Sequence, residues 1–409
     1  MISRIILFFT VIMSVACADV QQKDHNFAKG TFGHDVDFLS EFQEIVLLEN
    51  ENAKVLISPA YQGRIMTSTA KGMEGMSFGW MNYELISSGK IEKHINAFGG
   101  EDRFWMGPEG GQYSIFFKKD DPFDLDHWQT PTAIDSEPFK LISKTPTEAA
   151  FEKEIELMNY SGFPFKIKVD RKIILYSPQQ LTEELGFSIP ESINAVGFAS
   201  LNSITNTGDQ DWKKENGLLS IWILGMLQPS PENTIVIPVN SGEVANLGEI
   251  VNDTYFGKIP DDRIATNESH IFFKGDGKSR GKIGVSPLRA TSFAGSYDAA
   301  NNLLTIISYS FDPNANDYVN SMWEIQDEPY AGDVVNSYND GPLDASGNQM
   351  GPFYELESSS PALELKKNES VKHVHQTFHF VGEEKELDRI ANATLGVGIQ
   401  EIQGVFSGN

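Results

Sequence analysis

The run Gly351-Pro-Phe-Tyr-Glu-Leu-Glu-Ser-Ser-Ser-Pro361, with Val371-Lys-His-Val-His-Gln-Thr-Phe-His-Phe380 after it, decides how the rest of the chain is read. Side chains of a strand alternate between its two faces. At that period Glu355 and Glu357 share one face, and Tyr354 and Leu356 the other. In the second run His373, His375 and His379 share a face opposite Val374, Phe378 and Phe380. Lys366-Lys-Asn-Glu369 between them reads as a polar turn. The expectation is therefore a hairpin with one apolar face and one face of carboxylates and imidazoles, lining a cleft.

Two carboxylates two residues apart on a strand have Cβ atoms about 7 Å apart, close enough for each to perturb the other's ionisation. Such groups move protons at sugar oxygens and accept hydrogen bonds from hydroxyls. The bland alternative is two solvated residues on an outer sheet face. The His-x-His spacing also matches a metal-ligand pair, but isolated pairs of this kind are more often ordinary solvated residues, and no metal is expected there.

At the other end, Met1-Ile-Ser-Arg-Ile-Ile-Leu-Phe-Phe-Thr-Val-Ile-Met-Ser-Val-Ala-Cys17 carries one positive charge, a short apolar stretch and a small residue before its cysteine. This pattern predicts an export signal, residues 1–17, of the lipoprotein type, with Cys17 as the lipidated residue and residues 18–27 as a tether. Ser14 stands where such signals usually carry Leu, so cleavage to a soluble exported protein is the alternative. Cys17 is the only cysteine, so no internal disulfide can form.

The 409 residues, 40% hydrophobic and 11% aromatic, are enough for a large core. A net charge of −25 argues against nucleic acid or anionic lipid as partners. Any membrane attachment is expected only through the lipid anchor, at the cell envelope (periplasm or outer membrane), and a monomer is expected. From residue 28 onward short strands and turns predominate, as in residues 44–49, 54–59 and 63–69. Only residues 177–186 and 383–395 read as helices. No composition break or repeat divides residues 28–409, so one all-β domain of stacked antiparallel sheets is expected.

The most unusual loop is His94-Ile-Asn-Ala-Phe-Gly-Gly-Glu-Asp-Arg-Phe-Trp-Met-Gly-Pro-Glu-Gly-Gly-Gln112. Its paired glycines permit close backbone approach to a ligand. Asp102, Arg103 and Glu109 supply polar contacts and Trp105 a ring for a sugar's C–H face; Trp128 extends the wall, and His94 is a further candidate contact. The alternative is a structural corner. Lys278, Arg280 and Lys282 gather positive charge that suits a uronate or sulfated sugar, or else form a solvated hairpin. Asn320, Met322, Glu324 and Gln326 fall on one strand face, with Gln326 a candidate sugar contact and Trp323 a core residue. Asp333, Asn336, Asn339, Asp340 and Asp344 offer oxygen ligands that calcium would accept, or bond their own turns. No other cofactor is expected.

In order along the chain, residues 99–109, Asn159-Tyr-Ser-Gly-Phe-Pro-Phe165, Ser203-Ile-Thr-Asn-Thr-Gly-Asp209 and the terminal Glu-x-Glu run resemble the galactose mutarotase-like (aldose 1-epimerase-like) superfamily. Tyr338-Asn-Asp-Gly-Pro342 and Tyr354-Glu-Leu-Glu-Ser-Ser-Ser-Pro361 are similar to an uncharacterised exported bacterial family within it. The resemblance implies a β-supersandwich with few short helices and a concave carbohydrate cleft. It implies Glu355 or Glu357 as general base; Asn339, Asp340 and His373 are further candidate sugar contacts. The histidine acid is missing from its expected place in residues 206–222, so His375, or another of His94, His373 and His379, would have to replace it. Three functions follow: an epimerase; a glycoside hydrolase or polysaccharide lyase pairing Glu109 with Glu355 or Glu357; and a non-catalytic glycan-binding surface lipoprotein.

Overall fold

The computed structural model describes residues 26–343 and 347–407. Its main body is a ten-stranded and a five-stranded antiparallel sheet, flanked by a three-stranded one. The larger sheet runs, edge to edge, Ile264–Thr266, His270–Lys274, Asn233–Pro238, Phe293–Asp298, Leu303–Tyr309, Ser370–Val381, Asn194–Asn206, Pro164–Leu175, Glu148–Met158 and Lys140–Lys144. Period two is plain in its long strands. In Pro164–Leu175, Phe165, Ile167, Val169, Ile173 and Leu175 are buried while Lys166, Lys168, Asp170 and Lys172 stay at least partly in solvent. One face is solvated there, as antiparallel sheets allow, whereas Asn233–Pro238, Phe293–Asp298 and Leu303–Tyr309 are buried almost throughout, with Leu387, Ile390, Ile399 and Ile402 packed over that end. Arg171 breaks the pattern, a charge on the buried face.

The smaller sheet runs Gly281–Val285, Val335–Asn339, Tyr354–Ser359, Ser220–Leu227 and Arg103–Gly107. Every residue of all five strands is buried. One face packs on the larger sheet and the other is covered by loops. The opening strands, Val46–Asn50, Ala53–Ser58 and Arg64–Thr69, form the third sheet nearly where the pattern places them.

Both expected helices form. Pro178–Leu185 begins with a reciprocal cap between Ser177 and Gln180 and ends on Gly186 at φ 77°; Glu384–Thr394 packs Leu387, Ile390 and Ala391 inward. Several further short helices form that the pattern does not announce, the longest of them Phe32–Ser40. Thr31 caps it, but its nine residues offer too short a periodic run to stand out from the strands around it.

The expected hairpin does not form. Tyr354–Ser359 pairs with Val335–Asn339 and Ser220–Leu227, whereas Ser370–Val381 pairs with Leu303–Tyr309 and Asn194–Asn206. The turn at residues 366–369 exists, with the Glu369 N–H bonded to the Lys366 carbonyl. It leads the chain from one sheet into the other rather than back along the same sheet. Residues 320–326 are likewise a loop and not a strand. Asn320 caps the Met322 N–H, and Gln326 bonds the carbonyls of Asn320 and Met322.

Candidate functional site

Directly opposed residues of an antiparallel pair share a face. Glu355 lies opposite Met226 on one side and Tyr338 on the other, and Tyr338 lies opposite Lys282. Glu357 lies opposite Leu224, and Leu224 lies opposite Arg103. Trp105 pairs with Trp222. The register alone therefore gathers Arg103, Trp105, Trp222, Leu224, Met226, Lys282, Tyr338, Glu355 and Glu357 on the face turned away from the large sheet.

Loops build walls around that face. They leave a cleft of about 350 Å³ lined by His94, Trp128, Glu109, Trp323, Phe256 and Arg280 together with Arg103, Trp105, Trp222, Lys282, Tyr338 and Glu355. Such a volume lies at the small end of the roughly 300–1,000 Å³ usual for small-ligand sites. Gly110 and Gly111 bring one wall close. A Cβ on Gly110 would stand 2.2 Å from the Met322 carbonyl oxygen, and Gly111 has φ +80° against Gln326. The Gln112 side-chain amide locks the contact at both ends, donating to the Gln326 carbonyl and accepting from the Gln326 N–H. These contacts hold the loop that carries Trp323 against Trp128, ring centroids 5.7 Å apart. Trp323 is thus wall and not core.

The floor is a set of buried charges. Arg103 Nη2 lies 3.0 Å from Glu355 Oε1. Glu357 Oε2 accepts from Lys282 Nζ at 3.0 Å and from the Trp222 indole at 2.9 Å. The cations also sit on rings: Arg103 is 4.2 Å from the Trp105 centroid, Lys282 4.5 Å from that of Trp222, and Arg280 3.7 Å from that of Phe256. Burial pushes the Glu355 carboxyl up to about 8, with the Glu357 charge adding and Arg103 and Lys282 opposing. Burial also raises Glu109, against Lys282 and a hydrogen bond from Trp323. Burial alone would lower Lys282, but the carboxylates of Glu357, Glu109 and Glu355 outweigh it and leave the ammonium above its ordinary value. Glu355 is therefore a buried acid in contact with the cleft that titrates near neutrality, a property that proton-transferring groups share.

Behind the sheet lies a second polar layer, and it claims several of the expected site residues. Ser358 Oγ is 2.7 Å from His373 Nε2 and 2.8 Å from His375 Nδ1. Ser358 alternates with Glu355 and Glu357, so both imidazoles lie on the far side of the strand. Burial drives His373 down to about 3 and His375 to about 4. His379 bonds Glu101 at 2.8 Å. The expectation that His375 or His373 serves beside Glu355 is corrected: a strand of the small sheet separates them. Asp102 is corrected for the same reason. It faces inward to Arg171, both side chains fully buried, and Asn202 shares that guanidinium. This pair explains the charge that broke the pattern of the large sheet.

Other candidates take supporting positions. The Asn339 side chain bonds Gly277 and Ser279, fixing the loop that leads to Arg280. Asp340 accepts from the Tyr338 hydroxyl and the Gly351 N–H, and burial raises it to about 6. Gln326 latches the loop that bears Trp323. The Gly99–Gly100 pair, at φ +96° and +111°, approaches the Trp80 and Ile65 carbonyls rather than a ligand. Of the oxygen ligands considered for calcium, Asp333 bonds Tyr255 and Asn336 bonds the Ile283 carbonyl, while Asp344 lies outside the described residues. Among the described residues no three His, Cys, Asp or Glu converge as a metal site. Cys17 also lies outside them.

The cleft thus unites His94, Arg103, Trp105, Glu109 and Glu355 from the sequence-based set, with Glu357 beneath. Trp222 and Tyr338 were missed. Trp222 stands in the wholly apolar run Ser220–Leu227, which carries no period-two signal because both of its faces are buried.

The chain belongs to a family described as a family of unknown function (DUF6786), whose model matches residues 30–406. No curated protein matches the sequence. Among solved structures, a putative aldose 1-epimerase from Escherichia coli K12 superposes with a TM-score of 0.50 at 11% identity, over 83% of this chain and 99% of that one. A galactose mutarotase-like protein from Lactobacillus casei gives 0.46 at 10%, over 82% and 100%. The fold is the galactose mutarotase-like sandwich.

Proposed function

We propose that this member of the DUF6786 family binds a carbohydrate in the cleft and that Glu355 exchanges a proton with the bound sugar. One observation carries the reading: four of the chain's six tryptophans, Trp105, Trp128, Trp222 and Trp323, line the same cleft as Glu109 and Glu355. Indole faces pack against sugar C–H groups while carboxylates take the hydroxyls. As an ionised base, Glu355 would remove a hydroxyl proton; as a neutral acid, it would return one. His94 is the only histidine among the lining residues, and its Nδ1 lies 2.6 Å from the Trp128 carbonyl. That bond places the proton on Nδ1 in the neutral ring, leaving Nε2 for a partner. His94 is accordingly the candidate for the second proton-transfer group. The Escherichia coli structure described as a putative aldose 1-epimerase agrees with sugar chemistry on this fold.

A second reading, capture without chemistry, draws on the Arg103 contact, which already engages one oxygen of Glu355. In either case the N-terminal pattern ending at Cys17 supports an exported protein held at the cell envelope by lipid.

A glycan screen that follows both binding and anomeric or reducing-end change, on wild type, Glu355→Gln, Glu357→Gln and Glu109→Gln, tests this. The expected result is a glycan bound by all but turned over about 10²–10⁴ times more slowly by Glu355→Gln. Turnover undiminished in Glu355→Gln would remove that residue's role. Binding with no change by any form would establish capture, and no binding of any carbohydrate would refute the proposal.

A further inference from the structure

We infer that the sugar taken by this cleft carries an anionic group, a carboxylate or a sulfate. The inference rests on the carbohydrate reading and adds its charge. It starts from hydrogen-bonding capacity left open in the walls. Among the described residues, buried Nε and Nη1 of Arg103, Nε1 of Trp105, Nε1 of Trp128 and Nε of Arg280 have no hydrogen-bond partner. All four residues line the cleft. The one fully buried acceptor left open nearby is Glu357 Oε1, beneath the floor, while the carboxylates of Glu109 and Glu355 face the cleft on its other side. A neutral sugar presents hydroxyls, which donate as readily as they accept and would meet a wall of mixed groups. A carboxylate or sulfate only accepts, and it suits the part of the wall formed by Arg103, Trp105, Trp128 and Arg280, where the open groups are donors.

The charges agree. Arg103, Arg280 and Lys282 all reach the cleft, across from Glu109, Asp126 and Glu355, in a chain whose net charge is −25. Lys282 is matched by Glu357 and Arg103 by Glu355. Arg280 has no carboxylate within ion-pair distance among the described residues; it lies on Phe256 beside Tyr338, and the nearby Asp340 is held by Tyr338 and Gly351. The Glu355 carboxyl, raised to about 8, weakens the negative side further near neutral pH. Guanidinium forks match planar carboxylates and sulfates in two-point contacts, which ammonium groups do not provide. Arg280 and the open edge of Arg103 are the two positions where such a contact forms.

The experiment is calorimetric titration of the wild type and Arg280→Gln with matched pairs: oligogalacturonate and its methyl ester, chondroitin sulfate oligosaccharides and their desulfated forms, and neutral galacto-oligosaccharides. Arg280 is only half-buried, so the variant is expected to fold, and Arg280→Lys keeps the charge while losing the fork. At least one acid should bind about tenfold or more tightly than its neutral counterpart, with that preference falling about tenfold in Arg280→Gln and with added salt. The pair that discriminates identifies carboxylate or sulfate as the group read. Equal affinity within every pair overturns the inference while leaving a carbohydrate site intact. Binding of none of these probes overturns it together with the reading beneath it. A preference unchanged in Arg280→Gln removes Arg280 from the contact.

Discussion

Replacing Glu355 by Gln separates two opposing forces on one carboxyl. Burial favours its neutral form, while Arg103 at 3.0 Å favours the anion. The balance goes to burial, which lifts the group from 4.5 to about 8. The folded value thus exceeds the unfolded one. The stability this group contributes is complete below pH 4.5 and is lost as pH rises through 8. At about 1.4 kcal/mol per pH unit, the wild type should lose about 4 kcal/mol between pH 5 and 8 relative to Glu355→Gln, which has nothing to ionise. Urea unfolding of both proteins at each pH from 5 to 9 gives the difference directly, and titrations common to both cancel. The expected curve climbs in favour of the variant up to pH 8 and then levels. A flat curve, or one in which the wild type gains as pH rises, would refute the reasoning and show that the Arg103 pair outweighs burial.

Other outcomes follow from the same geometry. Lys282→Met leaves Glu357 buried with only the Trp222 indole to answer it and should lower stability by about 3–5 kcal/mol, with most of the loss recovered in Lys282→Met/Glu357→Gln; thermal or urea melts check both. Because burial holds His373 near 3 and His375 near 4, NMR titration should show both rings still neutral at pH 5, whereas exposed His127, raised by its bond to Asp124, should titrate above an ordinary histidine. Their stabilising contribution is therefore complete above pH 6.5 and declines as pH falls towards those values. Cys17→Ala should move the protein from the membrane fraction to the soluble one, and an unchanged distribution would exclude the lipid anchor.

How much the sequence disclosed depended on which signal each residue left. Alternation in Tyr354–Ser359 and the aromatic, charged run after His94 led to Glu355, Arg103, Trp105 and Glu109, because alternation survives whichever sheet a strand joins. Pairing did not show in the same way. Two polar-faced strands separated by a turn look like a hairpin, and nothing local distinguishes a turn that returns to its own sheet from one that crosses to the next. This is why His373 and His375 seemed to stand beside Glu355 while lying behind it. Asp102 was misplaced for a related reason. Its partner Arg171 is 69 residues away, and a buried long-range ion pair has no sequence spacing. Lys282 read equally well as a solvated turn residue, because only the register with Tyr338 turns it onto the floor.

The central claim, that a sugar sits among the tryptophans above Glu355, is tested most directly by the indole N–H resonances of ¹⁵N-labelled protein as the best glycan from the screen is added. Six signals are expected, one for each tryptophan. The account predicts that those of Trp105, Trp128, Trp222 and Trp323 move, while Trp212, packed on Phe165 away from the cleft, stays fixed. Saturable glycan binding that leaves all four cleft indoles unmoved would contradict it.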